Sequence, residues 1–167
     1  NDMKIELKLF PTSIKEMLTF TLFFLLLLNG LAYLIFTVIM GLSFSELFSR
    51  SWIILVFVPL IQGIIQSVSN RNGLLTIGKI VKSERMDKKI IELMNKINYL
   101  EISRDENYSL FDNKIGWKRK LNRMFSGKIK VIHENDTIHI YGKRIILNRI
   151  ESYVRIDKEF RELSENN

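Results

Sequence analysis

The residues best suited to chemistry in this chain of 167 residues are cations set among aromatic rings. From Asn113 to His133 there is no Asp or Glu, while Lys114, Lys118, Arg119, Lys120, Arg123, Lys128 and Lys130 are present. Trp117, Phe125 and His133 are interleaved with them. Lys and Arg meet phosphates and aromatic faces stack on bases, so this composition suits a polyanion that carries nucleobases. Lys128 to His133 and Thr137 to Tyr141 alternate in the manner of strands and turn at Asn135-Asp136, which predicts a β-hairpin. With a two-residue loop, Val131 pairs with Ile140 and Lys130 with Tyr141. Ile129, Val131, Ile138 and Ile140 then form the core side, and Lys128, Lys130, His139, Tyr141 and Lys143 the other. A slip of one residue would reverse that assignment. His133 falls at the end of the core side, near the turn.

The candidate ligand-binding residues are therefore Trp117, Lys118, Arg119, Arg123, Lys130, His133, His139, Tyr141, Lys143 and Arg144. Three readings of these cations stand together: a nucleotide or nucleic-acid ligand, anionic lipid headgroups, or a solvated face. Trp117 alone fits a core position as well as a stacking platform.

Catalysis finds little support. No G-x-G-x-x-G, P-loop or H-E-x-x-H pattern occurs. With no cysteine, thiolate nucleophiles and cysteine metal sites are excluded. His133 and His139 flank Glu134 and Asp136, but acids and amides around a tight turn are ordinary turn formers, so no metal site is expected. Glu101, Asp105, Glu106 and Asp112 show no acid–base pairing. The expectation is a noncatalytic protein without a cofactor.

The elements that position these residues divide sharply by composition. Residues 1–70 carry four basic and four acidic side chains, so the whole net charge of +7 belongs to the chain from Arg71 onward. Met17 to Met40 is charge-free and continues so to Ser45; as a helix this run is ~36 Å long, enough to cross a bilayer core of roughly 30 Å. Ser51 to Ser69 is a second uncharged run, ~28 Å as a helix, bracketed by Arg50 and Arg71. Cations concentrate outside the pair and not in the connection at 41–50, which predicts both termini in the cytoplasm. Amides and glycines recur at helical spacing: Pro59, Gln62, Gly63, Gln66 and Asn70 on the second helix, and Gly30, Tyr33, Thr37 and Gly41, beside Asn29, on the first. Such stripes predict helix–helix packing with interhelical hydrogen bonds, or a water-accessible path in an oligomer.

Outside the hairpin, Met3 to Phe10 alternates as a strand that adds to the cytoplasmic sheet or lies at the interface. Ser13-Ile14-Lys15-Glu16 reads as a capping box. An amphipathic helix is predicted over 87–97, strands over 99–103 and 108–111, a helix over 114–125 and a strand over 144–147. A second capping box, Asn148-Arg149-Ile150-Glu151, opens a last helix to about Leu163. The organisation is thus an N-terminal strand and cap at 1–16, a two-helix transmembrane hairpin at 17–69, a linker at 70–85 and a basic cytoplasmic domain at 86–167. The fold class is a membrane α-helical hairpin plus a small α+β domain.

A hairpin at 17–69 followed by a small basic domain with the Trp117-Lys118-Arg119-Lys120 and Lys143-Arg144 clusters resembles the CRISPR-associated membrane effectors of type III systems. The resemblance implies a cytoplasmic domain that senses a cyclic oligoadenylate, whose ring of phosphates and adenines would be held by a homo-oligomer. It also implies a bacterial inner-membrane location, and membrane helices that rearrange on binding, compromise the membrane and stop growth of an infected cell. The alternative is a structural membrane scaffold whose basic domain grips anionic lipid or a partner protein.

Overall fold

The computed structural model describes residues 3–79, 84–105, 108–114, 127–134 and 136–165. The chain divides into two units, Thr12–Ser69 and the remainder.

The first unit is a pair of long apolar helices. α1 (Ile14–Ala32) continues into a π-helical stretch, Tyr33–Ile39, and α2 (Phe44–Ser69) returns. Both are long and apolar enough to cross a membrane. Most of the large apolar side chains that stand exposed lie between Ile14 and Val68, the reverse of a water-soluble helix pair. The expected connection at 41–50 is shorter, because a capping box opens α2 early. Ser43 Oγ and Glu46 Oε2 are 2.7 Å apart, the Ser43 N–H donates to the same carboxylate at 3.1 Å, and the Glu46 N–H donates to Ser43 Oγ at 3.2 Å. At the start of α1, Ser13 is the N-cap but makes no side-chain capping bond.

Two features join these helices. Gly63 abuts Thr21, where any Cβ would overlap the Thr21 backbone. Pro59 has no N–H, so the carbonyl four residues earlier, Leu55, loses its helical donor; Asn29 Nδ2 crosses from α1 and donates to it at 3.0 Å. Buried Pro59, Gly63 and Ser67 thus carry the contact on α2. On α1 the expected stripe is corrected. Gly30 faces open space and Tyr33 is exposed, because Thr21, Leu28, Asn29 and Ala32 are the residues turned to α2.

The second unit is one six-stranded antiparallel sheet in the order β1-β2-β6-β5-β4-β3. Its strands are β1 (Lys4–Leu9), β2 (Asn72–Gly78), β3 (Tyr99–Arg104), β4 (Tyr108–Asn113), β5 (Ile129–Glu134) and β6 (Thr137–Lys143). Residues 70–85, expected as a linker, therefore contain a strand. Leu75 and Ile77 alternate with less buried neighbours, and β1 and β6 pair on its two sides. Alternation puts Ile5, Leu7, Leu75, Ile77, Ile138, Ile140, Ile129, Val131 and Phe111 on one face. There they meet α3 (Glu84–Lys96), α4 (Arg144–Ile156) and α5 (Lys158–Glu165) in a single core.

Two expectations near the C-terminus are corrected. Arg144 to Leu147 is the first turn of α4, not a strand, because Ile146, Leu147, Ile150 and Val154 repeat at helical spacing and are buried together. The helix accordingly starts at Arg144, ahead of the supposed capping box at Asn148, and it breaks at Asp157 before α5. The predicted helix over 114–125 lies outside the described residues except at Lys114.

Lys89 of α3 ties this corner together. Its Nζ lies 2.6 Å from Glu159, 3.0 Å from Asp157 and 3.6 Å from Glu92. Hydrogen bonds to Glu159 and Asp157 raise the ammonium well above its ordinary value, against the opposing effect of burial. Burial pushes the Asp157 carboxyl up, but the Lys89 hydrogen bond and the N–H groups of Glu159 and Phe160 outweigh it and leave the group lowered. A lowered carboxyl contributes stability above its ordinary 3.8 and loses it as pH falls through the lowered value; a raised ammonium contributes below its ordinary 10.5 and loses it as pH rises past the raised one. Lys89→Met should therefore cost about 1–2 kcal/mol near neutral pH, with half-exposed Glu159 contributing little through solvent. In paired thermal melts the gap between wild type and variant should narrow below about pH 4.

Candidate functional site

Within this unit the described helices cover one face of the sheet, and none of them covers the other. Strand register fixes what that open face presents. One row runs Glu6, Thr76, His139, Ile132 and Tyr108; the next runs Lys8, Leu74, Tyr141, Lys130 and Leu110. The first row thus carries a carboxylate, a hydroxyl, two rings and an isoleucine, and the second two cations, a ring and two leucines.

Lys130 is exposed, and its Nζ stands 4.7 Å from the centroid of the Tyr108 ring. That cation–π contact holds the ammonium over an aromatic face, worth ~0.5–1 kcal/mol at an exposed site. Tyr141 is directly across from Lys130 and is itself exposed. His139 is half-buried and held at both ring nitrogens. Its Nδ1 is 3.2 Å from Thr76 Oγ1, and its Nε2 is 3.3 Å from Thr137 Oγ1 and 3.6 Å from Glu134 Oε2. Contacts at both ring nitrogens fix the orientation of the ring.

The sequence-predicted residues are not all brought together. Lys130, His139 and Tyr141 share the open face. Lys143 points the same way but is buried at the strand end, where its stem passes Gly127. Gly127 takes φ 66°, a left-handed conformation that favours glycine, and its carbonyl accepts from Tyr99 Oη at 3.2 Å. Arg144 opens α4, and its N–H donates to the Arg71 carbonyl at 2.9 Å. His133 is on the opposite, helix-covered side. Its Nε2 lies 3.6 Å from Asp87 of α3, and Arg104 Nη1 is 3.8 Å from the same carboxylate. Arg104 Nε in turn donates to Glu101 at 2.7 Å, a bond that raises the guanidinium further. His133 is thus part of a strand-to-helix polar contact, as its odd position beside Val131 requires. Trp117, Lys118, Arg119 and Arg123 lie outside the described residues.

Three members of the open face escape local sequence reading: Lys8, Thr76 and Tyr108. The alternation around Lys8 is visible in the sequence, but its neighbour across the sheet is not, because β1 and β2 flank the whole helical hairpin. Tyr108 is recognisable only once β4 is registered against β5. Among the described residues no group of acidic and histidine side chains is arranged to hold a metal ion.

Comparison with models of known protein families, with curated proteins and with solved structures finds no match to this chain.

Proposed function

We propose that this chain is a membrane-anchored sensor whose open sheet face binds an anionic ligand bearing aromatic bases. The observation that carries the reading is exposed Lys130 over the half-buried Tyr108 ring, beside Tyr141 and His139: a cation set among ring faces. In keeping with the resemblance stated above, the ligand class is a cyclic oligonucleotide such as a cyclic oligoadenylate. The apolar pair of helices spans the inner membrane of a bacterium with both termini in the cytoplasm. Binding by an oligomer changes the packing of the hairpin and breaches the membrane. The Asn29–Leu55 bond over Pro59 supports a hairpin able to change its packing, since a single side chain compensates the interrupted helix.

The test uses the full chain in detergent, titrated with cyclic di-, tri- and tetra-adenylates by calorimetry. Saturable binding of one ring size is expected, and each of Lys130→Glu and Tyr141→Ala should weaken it by about ten- to a hundredfold, the loss of one stacking or phosphate contact. Unchanged melting of both variants would locate the loss at the ligand. Failure of every ring size to bind above background overturns the reading and favours the scaffold alternative.

A further inference from the structure

We infer that the end of the sheet from which the helical hairpin departs is a docking surface for anionic phospholipid headgroups. The inference rests on the membrane-anchored reading above and does not depend on the nucleotide. β1 ends at Leu9 and α1 begins at Ile14; α2 ends at Ser69 and β2 begins at Asn72. Leu9 pairs with Gly73, and Asn72 with Lys143, so both junctions leave from the same end of the sheet. β5 starts at that end and β4 finishes there, with Phe111 opposite Ile129 and Tyr99 opposite Asn113.

Charge is sorted along the strand axis. At this end the strand termini carry Lys8, Arg71, Lys114, Lys128, Lys143 and Arg144. The one carboxylate among them, Asp112, is buried and accepts from the Asn113 N–H at 2.8 Å. At the opposite termini Lys4, Lys79 and Arg104 are balanced by Asp105, Glu134 and Asp136. The positive field therefore belongs to the end where the chain turns into apolar helix, which is where a headgroup layer would be met. Arg71 stands immediately before β2, half-buried, and its Nε has no hydrogen-bond partner among the described residues. Beside Arg144, Ile145 stands 52% exposed. A soluble polyanion has no use for that apolar group, whereas the boundary between headgroups and acyl chains accepts one among cations.

The absence of cysteine lets a single thiol report the contact. Full-length Ile145→Cys, Asp136→Cys and Leu27→Cys variants are reconstituted in vesicles of phosphatidylcholine, with and without a quarter of phosphatidylglycerol. Each is then labelled with a membrane-impermeant maleimide. Position 145 should label about tenfold more slowly in the anionic vesicles, and position 136 equally in both. Adding Lys8→Glu with Lys128→Glu, or raising salt, should remove the difference. Equal rates at 145 in the two lipids, with position 27 protected, would overturn the docking surface and leave the anchor standing. Free labelling at position 27 would remove the anchor and the docking surface with it.

Discussion

Gly63→Leu should prevent α1 and α2 from packing against each other. At Gly63 the backbones approach so closely that a Cβ would overlap the Thr21 Cα and stand 2.7 Å from the Thr21 nitrogen. No rotamer of a larger residue avoids this, because the obstacle is main chain rather than the end of a flexible side chain. Small residues at helix crossings serve this purpose in apolar surroundings, where close backbone contact replaces the missing hydrophobic drive. Overpacking costs about 1–3 kcal/mol where neighbours can yield; here the Cβ alone meets unyielding backbone, so alanine should already exceed that range and leucine should exceed it further. Leu28 and Leu55 line the same cleft between the helices. A disulfide between cysteines introduced at these two positions should form readily in the otherwise native chain and fall to background with Gly63→Leu. Unchanged crosslinking would show that the crossing lies elsewhere.

The second large effect belongs to the sheet domain. Leu147→Ala should destabilise it by about 3–5 kcal/mol, the cost of removing a buried leucine from a site that cannot collapse. Leu147 is fully buried and sits over two glycines that face each other across the β2–β6 pair, Gly73 and Gly142. A Cβ on Gly73 would stand 3.1 Å from Leu147 Cδ1, and one on Gly142 would stand 3.6 Å from Cδ2. The glycines make a depression in the sheet and Leu147 fills it. Neither strand can move inward, since Gly73 also lies against the Lys8 carbonyl, 2.9 Å from where a Cβ would be. Urea titration of wild type and variant measures the loss; a change below about 1 kcal/mol would mean that the sheet relaxes into the space.

What was legible in the sequence was whatever local periodicity decides. The β5–β6 register follows from alternation plus a two-residue turn, and Val131 opposite Ile140 is the observed pairing. The two long apolar runs stand out because nothing charged interrupts them. β2 was missed because Asn72-Gly73 looks like punctuation, when the glycine is there to admit Lys8 from one strand and Leu147 from a helix. The start of α4 was misread because Arg144-Ile145-Ile146-Leu147 has strand-like residues, and the pattern that makes it helical needs Ile150 and Val154, further along. On α1, Asn29 of the expected polar group does reach α2, at the orphaned Leu55 carbonyl, but Gly30 beside it faces open space and Tyr33 is exposed. In the site, Lys130, His139 and Tyr141 share a face because a strand alternates, while His133 parts from His139 because six residues and a turn separate an odd position on β5 from one on β6.

The pairing of β1 with β2 has a consequence for how the protein is made. β1 leaves the ribosome before the hairpin, yet among the described residues the one strand that pairs with it, β2, is translated after both apolar helices. β1 therefore stays unpaired throughout synthesis of the hairpin, and pairing it with β2 joins the two ends of a long insert, with an entropic cost that grows only slowly with the length of that insert. Completion of the domain brings the two ends of the hairpin together, and until then Ile5 and Leu7 lack their places against the core.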